Sequence, residues 1–226
     1  MKFKDRAEAG RKLAAELHSY RKERPIVLAL PRGGVPVAAE VAAALRAPLD
    51  IILVRKIGAP MQPELALGAV VDGKTPIVVR NNEIIRDTRT SEEAFQRTFR
   101  KELEEIERRR AQFTGGHEAL DPTGRVTIVI DDGIATGATM RAALQATRQR
   151  QPKKLVLAVP VAPYDTLEDL RREADDVVCL GDLHPYGAVG HFYDDFGQLS
   201  DRDVTDLLSR FGNRNEEKRL FEAAPR

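Results

Sequence analysis

Residues 129–139 read Val129-Ile130-Asp131-Asp132-Gly133-Ile134-Ala135-Thr136-Gly137-Ala138-Thr139. An apolar run ends in two carboxylates, passes through a loop of small residues and enters a helical pattern. Val126 to Ile130 is apolar apart from Thr127, which is how a strand covered on both faces looks. Small residues let a backbone approach a ligand closely. The amides of 135–139 can share one concavity, and a helix N-terminus adds positive potential, with the Thr136 and Thr139 hydroxyls as extra donors. This is a phosphate cradle. The carboxylates just before it accept hydrogen bonds and suit the hydroxyls of a sugar. The stretch therefore points to a sugar phosphate, with phosphate in the loop and hydroxyls on the acids. A P-loop would need a lysine that is absent here, and the glycine spacing does not fit a dinucleotide fingerprint.

Working outward, the same alternation of apolar run and helix recurs. Pro25 to Leu30, Asp50 to Val54, Leu155 to Val159 and Val177 to Leu180 read as further buried strands. Helical patterns cover 3–22, 35–45, 91–113, 138–150, 165–173 and 200–211. Phe95, Phe99, Leu103 and Ile106 form a stripe on the longest of these, whose other face of Glu and Arg reads as solvated. Asp5 with Glu8 and Thr90 with Glu93 have capping-box spacing. Residues 56–66 hold Gly58, Pro60 and Pro63 and read as a loop. Leu67 to Val71 and Thr75 to Val79 read as two strands around a turn at Asp72-Gly73. Strands alternating with helices predict an α/β fold: a Rossmann-like core with a mostly parallel central sheet flanked by helices. Ligands are then expected at the C-terminal strand edge.

Composition narrows the classes of function. The chain has 226 residues, 36 basic and 35 acidic, for a net charge of +1. That balance argues against bulk electrostatic binding of nucleic acid. No apolar run reaches the roughly 18–20 residues of a membrane span, and the charged start Lys2-Phe3-Lys4-Asp5 does not read as a signal peptide. The single cysteine, Cys179, excludes an internal disulfide and reads as a buried small hydrophobe. A cytoplasmic globular protein is expected.

The run from Ile130 to Thr139 resembles the PRPP-binding signature of the type I phosphoribosyltransferases. The resemblance extends in element order over most of 25–180. It implies that Asp131 and Asp132 hold the ribose hydroxyls and that Ala135, Thr136, Gly137, Ala138 and Thr139 hold the 5-phosphate. A pyrophosphate-binding loop should follow the first core strand, where Arg32, Gly33 and Gly34 stand, often with a cis non-proline peptide, expected near Arg32. A mobile loop after the next strand implies a catalytic role for Arg55 and Lys56 against the departing pyrophosphate. The family also carries a variable hood that chooses the acceptor. The segments 72–121 and 181–198 are its candidates within a single domain spanning 1–226.

The implied activity is phosphoribosyl transfer from PRPP to a nitrogenous base, with Mg²⁺ bound mainly through PRPP and no direct protein ligands, in a homodimer. A regulatory PRPP- or nucleotide-binding protein on the same fold is the alternative. Each motif also has a plainer reading. The acids could form a magnesium phosphatase pair or a strand-end turn, Arg32-Gly33-Gly34 a simple turn, and Arg55-Lys56 an exposed pair. Tyr186, Phe192 and Tyr193 could stack on a base or form a local aromatic mini-core. His184 and His191 lack the further ligands a zinc site needs.

Overall fold

The computed structural model describes residues 2–183 and 188–211. Its core is a five-stranded parallel sheet of β1 (Ile26–Ala29), β2 (Leu49–Ile51), β6 (Val126–Ile130), β7 (Lys154–Ala162) and β8 (Asp176–Asp182). The strands lie in the order β2-β1-β6-β7-β8. Every residue of β1, β2 and β6 is buried, and β7 is buried beyond its first residue. That double coverage explains the nearly uninterrupted apolar runs.

Helices cover both faces. They include α1 (Arg6–Glu16), α2 (Gly34–Leu45), α5 (Ala138–Gln149), α6 (Tyr164–Leu170) and α7 (Asp201–Ser209). The α2 helix buries Val35, Val37, Ala38, Ala39, Val41, Ala42 and Leu45, so small side chains let it lie close to the sheet. The expected helix over 3–22 divides into α1 and a 3-10 turn at His18–Glu23. No helix among the described residues is long and apolar enough to cross a membrane. Cys179 is half-buried, packs on the core, and has its thiol pushed up chiefly by burial.

Beside this core stands the hood, a three-stranded antiparallel sheet of β3 (Val54–Ala59), β4 (Gln62–Val71) and β5 (Ile77–Arg80). The expected loop at 56–66 is thus corrected to a hairpin. Its register shifts at Ile57/Gly58 and again at Gly58/Ala59, where Gly58 pairs with Ala66 and Ala59 with Gln62. Pro63 falls in this bulged stretch, outside the paired positions. Proline, which cannot donate to the ladder, is tolerated in such places. The segment 72–121 supplies β5, the short α3 (Asn82–Asp87) and α4 (Glu92–Thr114). The α4 stripe packs as expected, with Phe95 and Ile106 buried and Phe99 and Leu103 half-buried against the core. Its N-cap is Ser91, which accepts from the Ala94 amide, rather than Thr90.

The solvated-face reading of α4 fails at Arg110. Its Nη2 donates to both Asp50 carboxylate oxygens at 2.9 and 2.7 Å, and its Nη1 donates to Asp72 Oδ2 at 2.5 Å. Asp72 also accepts from the Leu53 amide at 2.8 Å. All three side chains are buried or nearly so. Burial pushes the Asp72 carboxyl up and Arg110 opposes that rise. One guanidinium thus ties α4, the edge strand β2 and the end of β4 together. Removing one partner of such a group strands the others in a medium that solvates charge poorly. Arg110→Met is therefore expected to lower the unfolding free energy by about 3–5 kcal/mol, read by chemical denaturation. A loss under about 1 kcal/mol would place this network on the solvated surface.

Candidate active site at the ends of β1 and β6

The strand order reverses direction between β1 and β6. From β1 the chain builds outward to β2, and from β6 it builds the other way to β7 and β8. The loops leaving such a pair diverge and open a crevice at their carboxyl ends. Ile130 pairs with Ala29 across these strands, and the Leu30 amide donates to the Ile130 carbonyl at 2.9 Å. The sequence-predicted groups Arg32-Gly33-Gly34 and Asp131-Asp132 are thereby brought together. A cis peptide joins Pro31 to Arg32.

The contact between the two loops is close. A Cβ on Gly33 would overlap the Asp132 carboxylate, and one on Gly34 would lie 2.7 Å from the Ile130 carbonyl oxygen. At Gly34 the clash is with backbone and only glycine fits; at Gly33 a side chain would displace the Asp132 carboxylate. Arg32 is half-exposed, its Nη1 reaching Asp201 Oδ1 on α7 at 3.4 Å.

Asp131 and Asp132 differ in surroundings. The Asp131 carboxyl accepts from the Asp132 amide at 2.8 Å. Burial, and then the neighbouring Asp132 charge, push the Asp131 carboxyl well above the ordinary carboxylate range. Asp132 is ion-paired with Arg6 through Nε and Oδ2 at 2.7 Å. Its backbone carbonyl accepts from the Tyr193 hydroxyl at 2.6 Å.

The loop after the acids leads into α5. Gly137 caps it with φ +75°, a left-handed conformation that favours glycine. A Cβ there would also press on Thr166 at 2.7 Å. Gly137 is buried, whereas Ala135, Thr136, Ala138 and Thr139 are exposed. Among the described residues, the amides of Ala135, Thr136 and Gly137 donate no hydrogen bond, and the Thr136 and Thr139 hydroxyls make none. The first-turn amides of α5 have no intrahelical acceptors. The helices α1, α3, α4, α6 and α7 each carry an acid in the first turn. The helices α2 and α5 carry none. The two helices whose N-termini adjoin the acid pair thus keep their positive ends uncompensated, ready for an external anion.

A cavity of about 510 Å³ adjoins the loop, lined by Thr136, Ala138 and Thr139 on one side and by Lys56, Gly68 and Arg80 of the antiparallel sheet on the other. Lys56 lines it while held by Glu64 at 2.9 Å. Its neighbour Arg55 turns to α4 and donates through Nε to Glu102 at 2.8 Å. Strand alternation separates the pair: Lys56 lines the cavity beside the phosphate loop, and Arg55 turns to the other face of the strand.

The aromatic segment also takes its plainer reading where it is described. Tyr193 is buried, with its ring 5.5 Å from Phe3 and stacked 4.9 Å from Phe196 between centroids. Burial pushes its hydroxyl up. Phe192 packs half-buried against the same cluster. Tyr193 therefore braces the Asp132 backbone and offers no free face to a base. Tyr186 and His184 lie outside the described residues. Arg6 had no local signal in the sequence: it acts on Asp132 across 126 positions of chain. No group of three or more His, Cys, Asp or Glu among the described residues is placed to hold a metal.

The raised Asp131 carboxyl has a thermodynamic consequence. The folded state binds this proton more tightly than the unfolded chain, so Asp131 costs stability as pH rises from below about 4 through its raised folded value. Asp131→Asn keeps the acceptor for the Asp132 amide and removes the ionisation. Thermal unfolding should show the variant more stable than the parent at neutral pH, with the gap closing towards pH 4. A gap that is constant with pH would contradict the shift.

Residues 2–194 match the phosphoribosyl transferase domain family. Two provisionally named phosphoribosyl transferases of Mycobacterium tuberculosis, from strains CDC 1551 / Oshkosh and H37Rv, are each 46% identical over 208 residues. The match covers 92% of this chain and 46% of each of theirs, so the chain spans about half the length of the curated relatives it matches. A crystal structure of a Thermus thermophilus protein superposes with a TM-score of 0.82 at 39% identity, covering 94% of this chain and 100% of that one. With the acid pair, the open-amide loop and the double-glycine turn meeting at the switch point of the sheet, the chain belongs to the type I phosphoribosyltransferase family.

Proposed function

We propose that this chain transfers a phosphoribosyl group from PRPP to a nitrogenous acceptor and releases pyrophosphate. The observation that carries the reading is the pairing of two complementary surfaces on one loop. Open amides and free hydroxyls at 135–139 suit a dianionic phosphate. The carboxylates at 131 and 132, immediately before them, suit sugar hydroxyls.

In this reading the 5-phosphate anchors at the N-terminus of α5 and the ribose lies over Asp132. The pyrophosphate is then directed towards the N-terminus of α2, where Arg32 is held only by a 3.4 Å contact and is free to turn to an anion. Bond breaking at the anomeric carbon leaves positive charge on the sugar, which the acid pair stabilises electrostatically. Lys56 faces the phosphate loop across the cavity and contributes cationic charge to the anionic substrate.

Mg²⁺ fits this donor set as an ion carried by PRPP oxygens and water, and it would neutralise charge on the leaving pyrophosphate. The protein groups nearest to it would be Asp131, whose carboxyl is buried, and Asp132, already paired to Arg6. That arrangement favours water-mediated contact over direct ligation.

The test is pyrophosphate release from PRPP and Mg²⁺ against a panel of purine and pyrimidine bases, with PRPP binding measured by calorimetry. Release with one base is the expected result and names the acceptor. PRPP binding without release across the panel would favour the regulatory alternative. No PRPP binding would overturn the reading. Asp132→Asn should lower PRPP affinity roughly 10- to 100-fold, the value of a hydrogen bond to a charged group. Undiminished affinity in that variant would remove Asp132 from the ribose site.

A further inference from the structure

Arg6 is the first residue of α1, and its side chain is 12% exposed. Three contacts fix its guanidinium. Nε donates to Asp132 Oδ2 at 2.7 Å, Nη1 donates to the Gly197 carbonyl at 3.0 Å, and the group lies 3.9 Å from the centroid of the Phe196 ring. The backbone around it is also pinned. The Phe3 amide donates to the Phe192 carbonyl at 2.7 Å, the Asp194 amide to the Phe3 carbonyl at 2.8 Å, and the Asp195 amide to the Lys4 carbonyl at 2.9 Å. The start of the chain and the segment 192–197 therefore form one bracket, and Tyr193 and Arg6 extend from it to the backbone and the carboxylate of Asp132.

The pairing with Asp132 uses one donor on one oxygen. An ionised carboxylate offers about four acceptor positions, and Arg6 takes only one of them. We infer that Arg6 is a positioning residue for sugar recognition: it holds the Asp132 carboxylate in one orientation with Oδ1 presented to a sugar hydroxyl. The inference rests on the sugar-phosphate reading given above and adds to it the group that sets the geometry of its acid. Without Arg6, Asp132 would keep a buried charge beside Asp131 and would turn towards water. A tether serving only to fasten the N-terminus would have no effect specific to the sugar.

The experiment compares ribose 5-phosphate with inorganic phosphate as ligands of the full chain, by calorimetry, in the parent, Arg6→Met and Arg6→Lys. The parent should bind ribose 5-phosphate more tightly than phosphate. Arg6→Met should lose about tenfold of that preference, as expected for one charge-assisted contact, while its affinity for inorganic phosphate stays at the parent value. Arg6→Lys, which keeps the charge without the fixed fork, should recover part of the preference. An unchanged preference in Arg6→Met would overturn the inference. So would a parallel loss of phosphate affinity and thermal stability, the mark of a purely structural tether. If Arg6→Met does not fold, Arg6→Lys decides the matter, an intermediate preference supporting the inference and an unchanged one overturning it. A parent that binds ribose 5-phosphate no better than phosphate would refute the sugar-phosphate reading itself, a result distinct from any behaviour of the variants.

Discussion

The loops leaving β1 and β6 approach so closely that a hydrogen atom is all the space allows at Gly33 and Gly34. Parallel pairing of these two central strands brings their carboxyl ends level, and the Leu30 amide bonds across to the Ile130 carbonyl. The double-glycine turn then lies directly on the acid pair. A methyl group at 34 would push the loops apart, and one at 33 would displace the Asp132 carboxylate. The two helix N-termini without first-turn acids, those of α2 and α5, face the crevice this contact creates. The rest of the site is organised around that approach.

Two charged devices hold the surrounding parts in place. On one side, Arg110 joins α4, β2 and the end of β4 through Asp50 and Asp72 and so seats the antiparallel sheet. That seating puts Lys56 in the wall of the cavity beside Thr136 and Thr139. On the other side, Arg6 joins α1 and the segment around Phe196 to Asp132. Both arginines use the planar, multi-donor guanidinium to bridge elements far apart in sequence, which an ammonium does less well. Their roles differ. Arg110 meets two carboxylates, whereas Arg6 makes a single bond to Asp132.

The core was legible in the sequence because its signals are local. Buried parallel strands appear as short apolar runs, and Asp131 to Thr139 carries the acids, the small-residue loop and the helix start within a single turn of chain. Gly33 and Gly34 stood out locally as a break after the first apolar run, and the role expected of them came only from the family resemblance. The β3–β4 hairpin was hidden, since Gly58, Pro60 and Pro63 resemble a loop unless the bulge that accommodates Pro63 is known. Arg110 was hidden among the charged residues of α4, because helical periodicity does not tell which charge meets a buried acid from another element. Arg6 lies 126 positions from its partner. Composition likewise recognised aromatics at 192–193 without showing whether their rings would be free or packed.

Where a phosphorylated sugar binds is tested most directly by a crystal structure of the chain with PRPP and Mg²⁺. The 5-phosphate should accept hydrogen bonds from the amides of 135–139, and a ribose hydroxyl should donate to Asp132 while Arg6 keeps its hold on the other oxygen. A phosphate seated elsewhere, or a ribose turned away from Asp131 and Asp132, would contradict that placement.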